Sequence, residues 1–228
     1  MKSLLVVLLL GLGLHSFAQN MVDSQGLKQG PWQKKYENNQ VRYKGQFKDN
    51  VPVGTFKYYE KNGKLSAILE YEGTTGNANA TYYHPNGQVQ AKGRFEAQKK
   101  EGVWTLYNTQ AKKVAEENYQ NGLLHGKSIT FYPSGAVTEI IEYKKGLKDG
   151  LWLRKLEDGT VKIKGKYAND KLHGECVYNS DEGRLMAKGV YHNGKKHGTW
   201  YYFEDGKATR SETYRYGALE SEKTYETQ

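Results

Sequence analysis

The chain has 228 residues and a formal net charge of +9, carried by 28 lysines against six arginines, with 19 tyrosines, four tryptophans and one cysteine. A single cysteine, Cys176, excludes an internal disulfide, so packing alone must hold the fold, and a small buried apolar role is expected for it. Leu, Ile, Val and Phe total only 44, ten of them within the first 18 residues, a level that excludes an ordinary aliphatic core and leaves the aromatic rings to supply one.

Taken in chain order, the first element is a leader. Lys2, the apolar run over residues 4–14 and the small-x-small triplet Ser16-Phe17-Ala18 together form a secretory signal peptide over residues 1–18. The run is too short to span a membrane, and no later segment reaches the ~18 to 20 apolar residues a span needs. Without a cysteine at the cleavage site, no lipid anchor is expected. The expectation is a chain exported from about Gln19, periplasmic, outer-surface or extracellular.

A lead-in over residues 19–29 precedes an array. Gly30, Gly54, Gly102, Gly126, Gly150, Gly174 and Gly198 recur at 24 residues or a multiple of it, with Ala78 in the empty slot. Phe47, Tyr71, Phe95, Tyr119, Tyr143, Tyr167 and Tyr191 keep the same period, and Trp32, Phe56, Trp104, Trp152 and Trp200 follow their glycines by two. A second series, Gly63, Gly87, Gly135, Gly159 and Gly183, has Asn39 and Ala111 in its irregular slots. Three columns in one phase predict eight consecutive 24-residue β-hairpins over residues 30–217. Stretches such as His84-Pro85-Asn86-Gly87 predict a three-residue turn closing in a left-handed glycine. Links such as Gln120-Asn121-Gly122 return the chain to the next hairpin. The last unit is one residue shorter before Gly206, and residues 218–228 read as a polar cap on the array.

Alternation along the second strands separates two faces. Val161, Ile163, Gly165 and Tyr167 alternate with Lys162, Lys164 and Lys166, and Val89, Ala91, Gly93 and Phe95 alternate with Gln90, Lys92 and Arg94. One face is therefore expected to be apolar and aromatic and the other charged. Small residues such as Ala91 and Gly93 leave room for a neighbouring ring to lie across them.

The stretches GTFKYYEKNG (54–63), GVWTLYNTQ (102–110), GLWLRKLEDG (150–159) and GTWYYFEDG (198–206), with the links YQNGLLHG (119–126) and YHNGKKHG (191–198), resemble the MORN-type repeat family in its bacterial variant form. The resemblance covers about residues 26–217. It implies an all-β, elongated, curved, single-layer antiparallel sheet; at ~4.8 Å per strand eight hairpins extend roughly 75 Å. Such repeats serve as scaffolds, lipid-contacting modules and interaction platforms, and some bacterial members carry antitoxin-like or membrane-binding labels.

No nucleophile elbow, phosphate loop, paired-cysteine metal site or zincin helix is present, so no catalytic residue, metal or cofactor is expected. His125, His173 and His197 share a slot with Glu101 and Asp149, but such residues lie two strands apart, about 9 to 10 Å, too far to share a zinc ion. They read as polar residues at reverse turns. The lysine excess argues against nucleic acid, because arginine is the favoured reader of bases and phosphates. The best candidate for contact with a protein or peptide is the aromatic face: Trp32, Phe56, Tyr58, Tyr82, Trp104, Trp152, Trp200 and Tyr202. The competing candidate is the basic face, Lys92, Arg94, Lys162, Lys164 and Lys166, meeting anionic lipid or glycan.

Overall fold

A computed structural model of the protein describes residues 19–226; the signal peptide expected over 1–18 and the last two residues of the expected cap lie outside that range. The described residues contain no helix, and build one open, curled antiparallel sheet of 19 strands. Among them no helix is long and apolar enough to cross a membrane. Eight hairpins follow one another, from Lys28–Lys35 with Val41–Lys48 to Lys195–Glu204 with Lys207–Arg215. Each strand pairs with its sequence neighbours. In the seventh hairpin the first strand is split into Lys171–Leu172 and Gly174–Asn179, both against Val161–Ala168. Met21–Val22 flanks the first hairpin and Ala218–Thr224 the last.

The expected turns form for the expected reason. Gly63, Gly87, Gly135, Gly159 and Gly183 have φ between +79° and +94°, and the irregular slots Asn39 and Ala111 take φ of +66° and +60°. Each turn closes through paired backbone bonds, as where Glu60 N donates to Lys64 O at 2.8 Å and Gly63 N to Glu60 O at 2.9 Å. Asn62 Oδ1 accepts from Lys64 N at 3.0 Å and Asp158 Oδ1 from Thr160 N at 2.8 Å, the local side-chain bonds that make Asn and Asp turn residues. The eighth hairpin departs from the pattern. Its missing residue leaves a two-residue turn, Asp205-Gly206, between the paired Glu204 and Lys207.

The links are two-residue turns with both central residues left-handed, as at Asn121-Gly122 (+52°, +85°) and Asn193-Gly194 (+50°, +82°), the geometry that matches the twist of adjoining strands. The 24-residue glycines do something else. They take φ of +64° to +119° within or at the start of strands, and from Gly54 onward the register breaks at them. Gly54, Thr55 and Phe56 together span what Gly45 alone spans on the neighbouring strand, since Lys44 pairs with Lys57 and Gln46 with Val53. The same three-against-one bulge sets Gly102–Trp104 against Gly93 and Gly198–Trp200 against Gly189. Bulges bend and twist a sheet, so their recurrence curls it. Where Ala78 replaces the glycine, Tyr71 pairs regularly with Ala78 and a longer link over residues 72–77 makes the connection instead.

With one layer, the core lies on one face of the sheet. Among the described residues the largest fully enclosed side chains are Trp104, Trp200, Phe56 and Cys176. The opposite face differs from expectation. Lys164 and Lys188 do lie there, but the same transverse row carries Ile129, Ile140, Leu153 and Val177. These aliphatics are half-buried rather than bare.

Candidate functional site

The ring face is built by the bulges. Those at Gly54, Gly102 and Gly198 drop the aromatic two residues after the glycine onto the neighbouring strand. A Cβ placed on Gly45 would stand 2.5 Å from Phe56, one on Gly93 2.2 Å from Trp104, and one on Gly189 2.3 Å from Trp200. The three rings are 1–2% exposed, and each is gripped edge-on by column aromatics: Phe47 and Tyr71 hold Phe56, Phe95 and Tyr119 hold Trp104, and Tyr191 holds Trp200. The indoles are anchored as well, Trp104 Nε1 donating to Arg94 O at 3.2 Å and Trp200 Nε1 to Val190 O at 3.1 Å. Phe56, Trp104 and Trp200 are thus interior, and this corrects their expected part as direct contact residues.

Trp32 and Trp152 remain half-buried, each for its own reason. No hairpin precedes Trp32; the lead-in substitutes, with Met21 O accepting from its Nε1 at 3.2 Å. Trp152 faces Ile141 where other rings face glycine. It pairs directly with Ile141, the bulge moves to lie opposite Glu142, and its Nε1 turns to Glu139 Oε1 at 2.8 Å. Tyr58, Tyr82 and Tyr202 are also half-buried. Burial pushes the phenols of Tyr58 and Tyr82 up, and burial with a hydrogen bond to Glu212 does so for Tyr202.

Lysines share this face, a feature the second-strand alternation does not reveal. Lys28, Lys100, Lys148 and Lys196 each stand two residues before a glycine of the 24-residue series. Their ammonium groups lie over rings: Lys28 over Trp32 and Phe47, Lys100 over Trp104 and Tyr119, Lys148 over Tyr167, and Lys196 over Trp200 and Tyr214, at 4.4–5.1 Å. The signal was in the sequence, since these four hairpins are the four that carry tryptophan. Beneath Lys196, Glu212 is 8% exposed and accepts from the Tyr202 and Tyr214 hydroxyls at 2.5 and 2.6 Å. Burial opposes its ionisation, but the two hydroxyls, Arg210 and Lys196 outweigh that and hold its carboxyl below the ordinary range. Glu117, Tyr119 and Lys100 repeat the arrangement in the fourth hairpin.

An open cleft of about 550 Å³ interrupts the ring face at the second and third hairpins, lined by Val51, Pro52, Tyr71, Gly76, Tyr82 and Phe95 among others.

On the opposite face the basic candidates divide. Lys92, Lys164 and Lys166 are exposed, whereas Lys162 pairs with Asp181 at 2.5 Å and Arg94 with Glu72. The slot of histidines and carboxylates serves the links: Glu101 Oε2 accepts from Asn121 N at 2.8 Å, Asp149 Oδ2 from Asn169 N at 3.4 Å and His197 Nδ1 from Tyr216 N at 3.4 Å. Among the described residues no group of three His, Cys, Asp or Glu could hold a metal ion. Tyr36 and Tyr132, not singled out by the repeat columns, reach across to the next hairpin and donate to the carbonyls of Tyr59 and Lys155 at 2.8 and 3.1 Å.

These features define a class: a single-layer array of β-hairpins whose rings pack on glycines of the adjoining strand. Residues 28–49, 52–72, 77–97 and 124–145 match the MORN repeat variant family, and the chain is a MORN-type repeat protein. No curated protein matches it significantly. MORN repeats are generally noncatalytic and occur in repeat scaffolds that bind partners or membranes.

Proposed function

We propose that the chain is an exported, noncatalytic scaffold that captures a protein or peptide through its ring face. The observation that carries this reading is the half-buried rim of Trp32, Tyr58, Tyr82, Trp152 and Tyr202 around an enclosed row of rings. Tyrosine and tryptophan supply large contact area at small entropic cost and dominate recognition hot spots. The enclosed rings hold the surface rigid, so little ordering cost falls on binding. Immobilised protein exposed to an extract of the producing organism is expected to retain a partner in 0.5 M salt, where exposed charge pairs are largely screened. Tyr82→Ala combined with Trp152→Ala is expected to weaken retention at least tenfold, as two lost hot-spot side chains would.

A second reading rests on the exposed Lys44, Lys57, Lys92, Lys164 and Lys188 of one transverse row, which suit anionic lipid or glycan. Capture that vanishes in 0.5 M salt and with Lys164→Glu plus Lys188→Glu, yet tolerates the ring substitutions, would favour it over the first.

A further inference from the structure

The position two residues before each glycine of the 24-residue series reads Lys28, Pro52, Gly76, Lys100, Leu124, Lys148, Leu172 and Lys196 along the array, with Gly76 two before Ala78. Wherever it is lysine, the ammonium lies over rings, one of them the column aromatic Phe47, Tyr119 or Tyr167, or Tyr214, which takes that place in the shortened last unit. The column rings that correspond to Pro52 and Gly76 are Tyr71 and Phe95, and no side-chain cation of their own hairpins stands at that position. Both rings line the open cleft of about 550 Å³, with Tyr82. The ring position itself is closed there, since Ala80 is 2% exposed; what stays open is the place of the ammonium.

Resting on the reading of a protein partner, we propose that this cleft receives a lysine side chain carried by that partner, its ammonium over Tyr71, Tyr82 and Phe95 where four other hairpins use a lysine of their own. The lining suits this ligand. It is uncharged, so attraction comes from ring faces, and Val51, Pro52 and Leu69 offer apolar surface to the four-carbon stem. A bare metal cation would find no carboxylate among the lining residues. The nearest arginine in sequence to Phe95, Arg94, is neutralised by its bidentate pair with Glu72, which removes a local repulsion.

The test uses the full chain and two probes, Nα-acetyl-lysine methylamide and its neutral Nε-acetylated counterpart, followed by NMR at the aromatic resonances. The charged probe is expected to move Tyr71, Tyr82 and Phe95, and the neutral one to bind about fivefold or more weakly, as two to three partly exposed ring contacts imply. Pro52→Lys restores an internal lysine at a strand position and is expected to lower affinity for the charged probe about fivefold with the melting temperature kept. Should Pro52→Lys not fold, Tyr82→Leu is expected to weaken the charged probe and leave the neutral one unchanged. Equal binding of the two probes, unshifted cleft resonances, undiminished binding by Pro52→Lys, or a response to phosphocholine vesicles in place of the lysine probe would overturn the assignment. The titration needs no partner, so an inert cleft removes this proposal while leaving capture by the rest of the ring face standing.

Discussion

A methyl group added to Gly93 would stand 2.2 Å from the Trp104 ring, whereas one added to Gly54 would meet nothing within 4 Å. The first glycine is needed for space and the second for its φ of +64°. Gly93→Ala and Gly189→Ala are expected to cost about 3 kcal/mol, the upper part of the overpacking range, because a rigid ring must lift. Gly54→Ala is expected to cost about 1 kcal/mol of backbone strain. Urea unfolding measures both, and tryptophan emission should shift to the red only for the ring-facing pair. Glu212 gives a second residue-scale expectation. Its folded pKa lies below the ordinary value near 4.5, so the stability it contributes is full above that value and drains as pH falls through the lower, folded one. Glu212→Gln is expected to lose about 1–3 kcal/mol at pH 7, having removed a buried charge-assisted acceptor, with the gap to the parent narrowing below pH 4.5 in melting experiments. Burial of single rings was legible in retrospect from an offset of 11. Phe56, Trp104 and Trp200 have Gly45, Gly93 and Gly189 eleven residues upstream, whereas Trp152 has Ile141. The repeat columns alone treat the four tryptophans as equivalent, because column identity carries no information about the facing strand.

At the scale of elements, turns were the most legible feature, since Asn-Gly and Pro-x-Gly have a local mechanism that needs no tertiary context. The 24-residue glycines were legible as a column but not as bulges: a left-handed glycine within a strand looks like a turn until its partner strand is known. One link carries avoidable strain. Ala97 and Gln98 adopt φ of +45° and +64°, in a turn type that favours Asn-Gly. Ala97→Asn with Gln98→Gly is expected to stabilise the chain by about 1 kcal/mol, read as a raised urea midpoint at unchanged slope. A lowered midpoint would show that Gln98 contributes more through its surroundings than its backbone loses.

At the scale of the molecule, a one-layer sheet must find its core without a second layer, and 19 tyrosines and four tryptophans do what aliphatics do elsewhere. The period of 24 fixed the sheet class in advance, while its curl and the sharing of one face by rings and lysines came from register. Lysine on the ring face also reframes the charge. Part of the basic excess stabilises rings instead of attracting anions, which weighs against reading net charge as function. The ring-on-glycine core requires Trp104 and Trp200 to be sealed between strands while Trp32 and Trp152 meet solvent. The direct measurement is ¹⁹F NMR of protein labelled with 5-fluorotryptophan, comparing shifts in H₂O and D₂O, with each signal assigned by its Trp→Phe variant. Solvent-isotope shifts are expected for Trp32 and Trp152 and none for Trp104 and Trp200; four equally responsive signals would contradict the ring-on-glycine core.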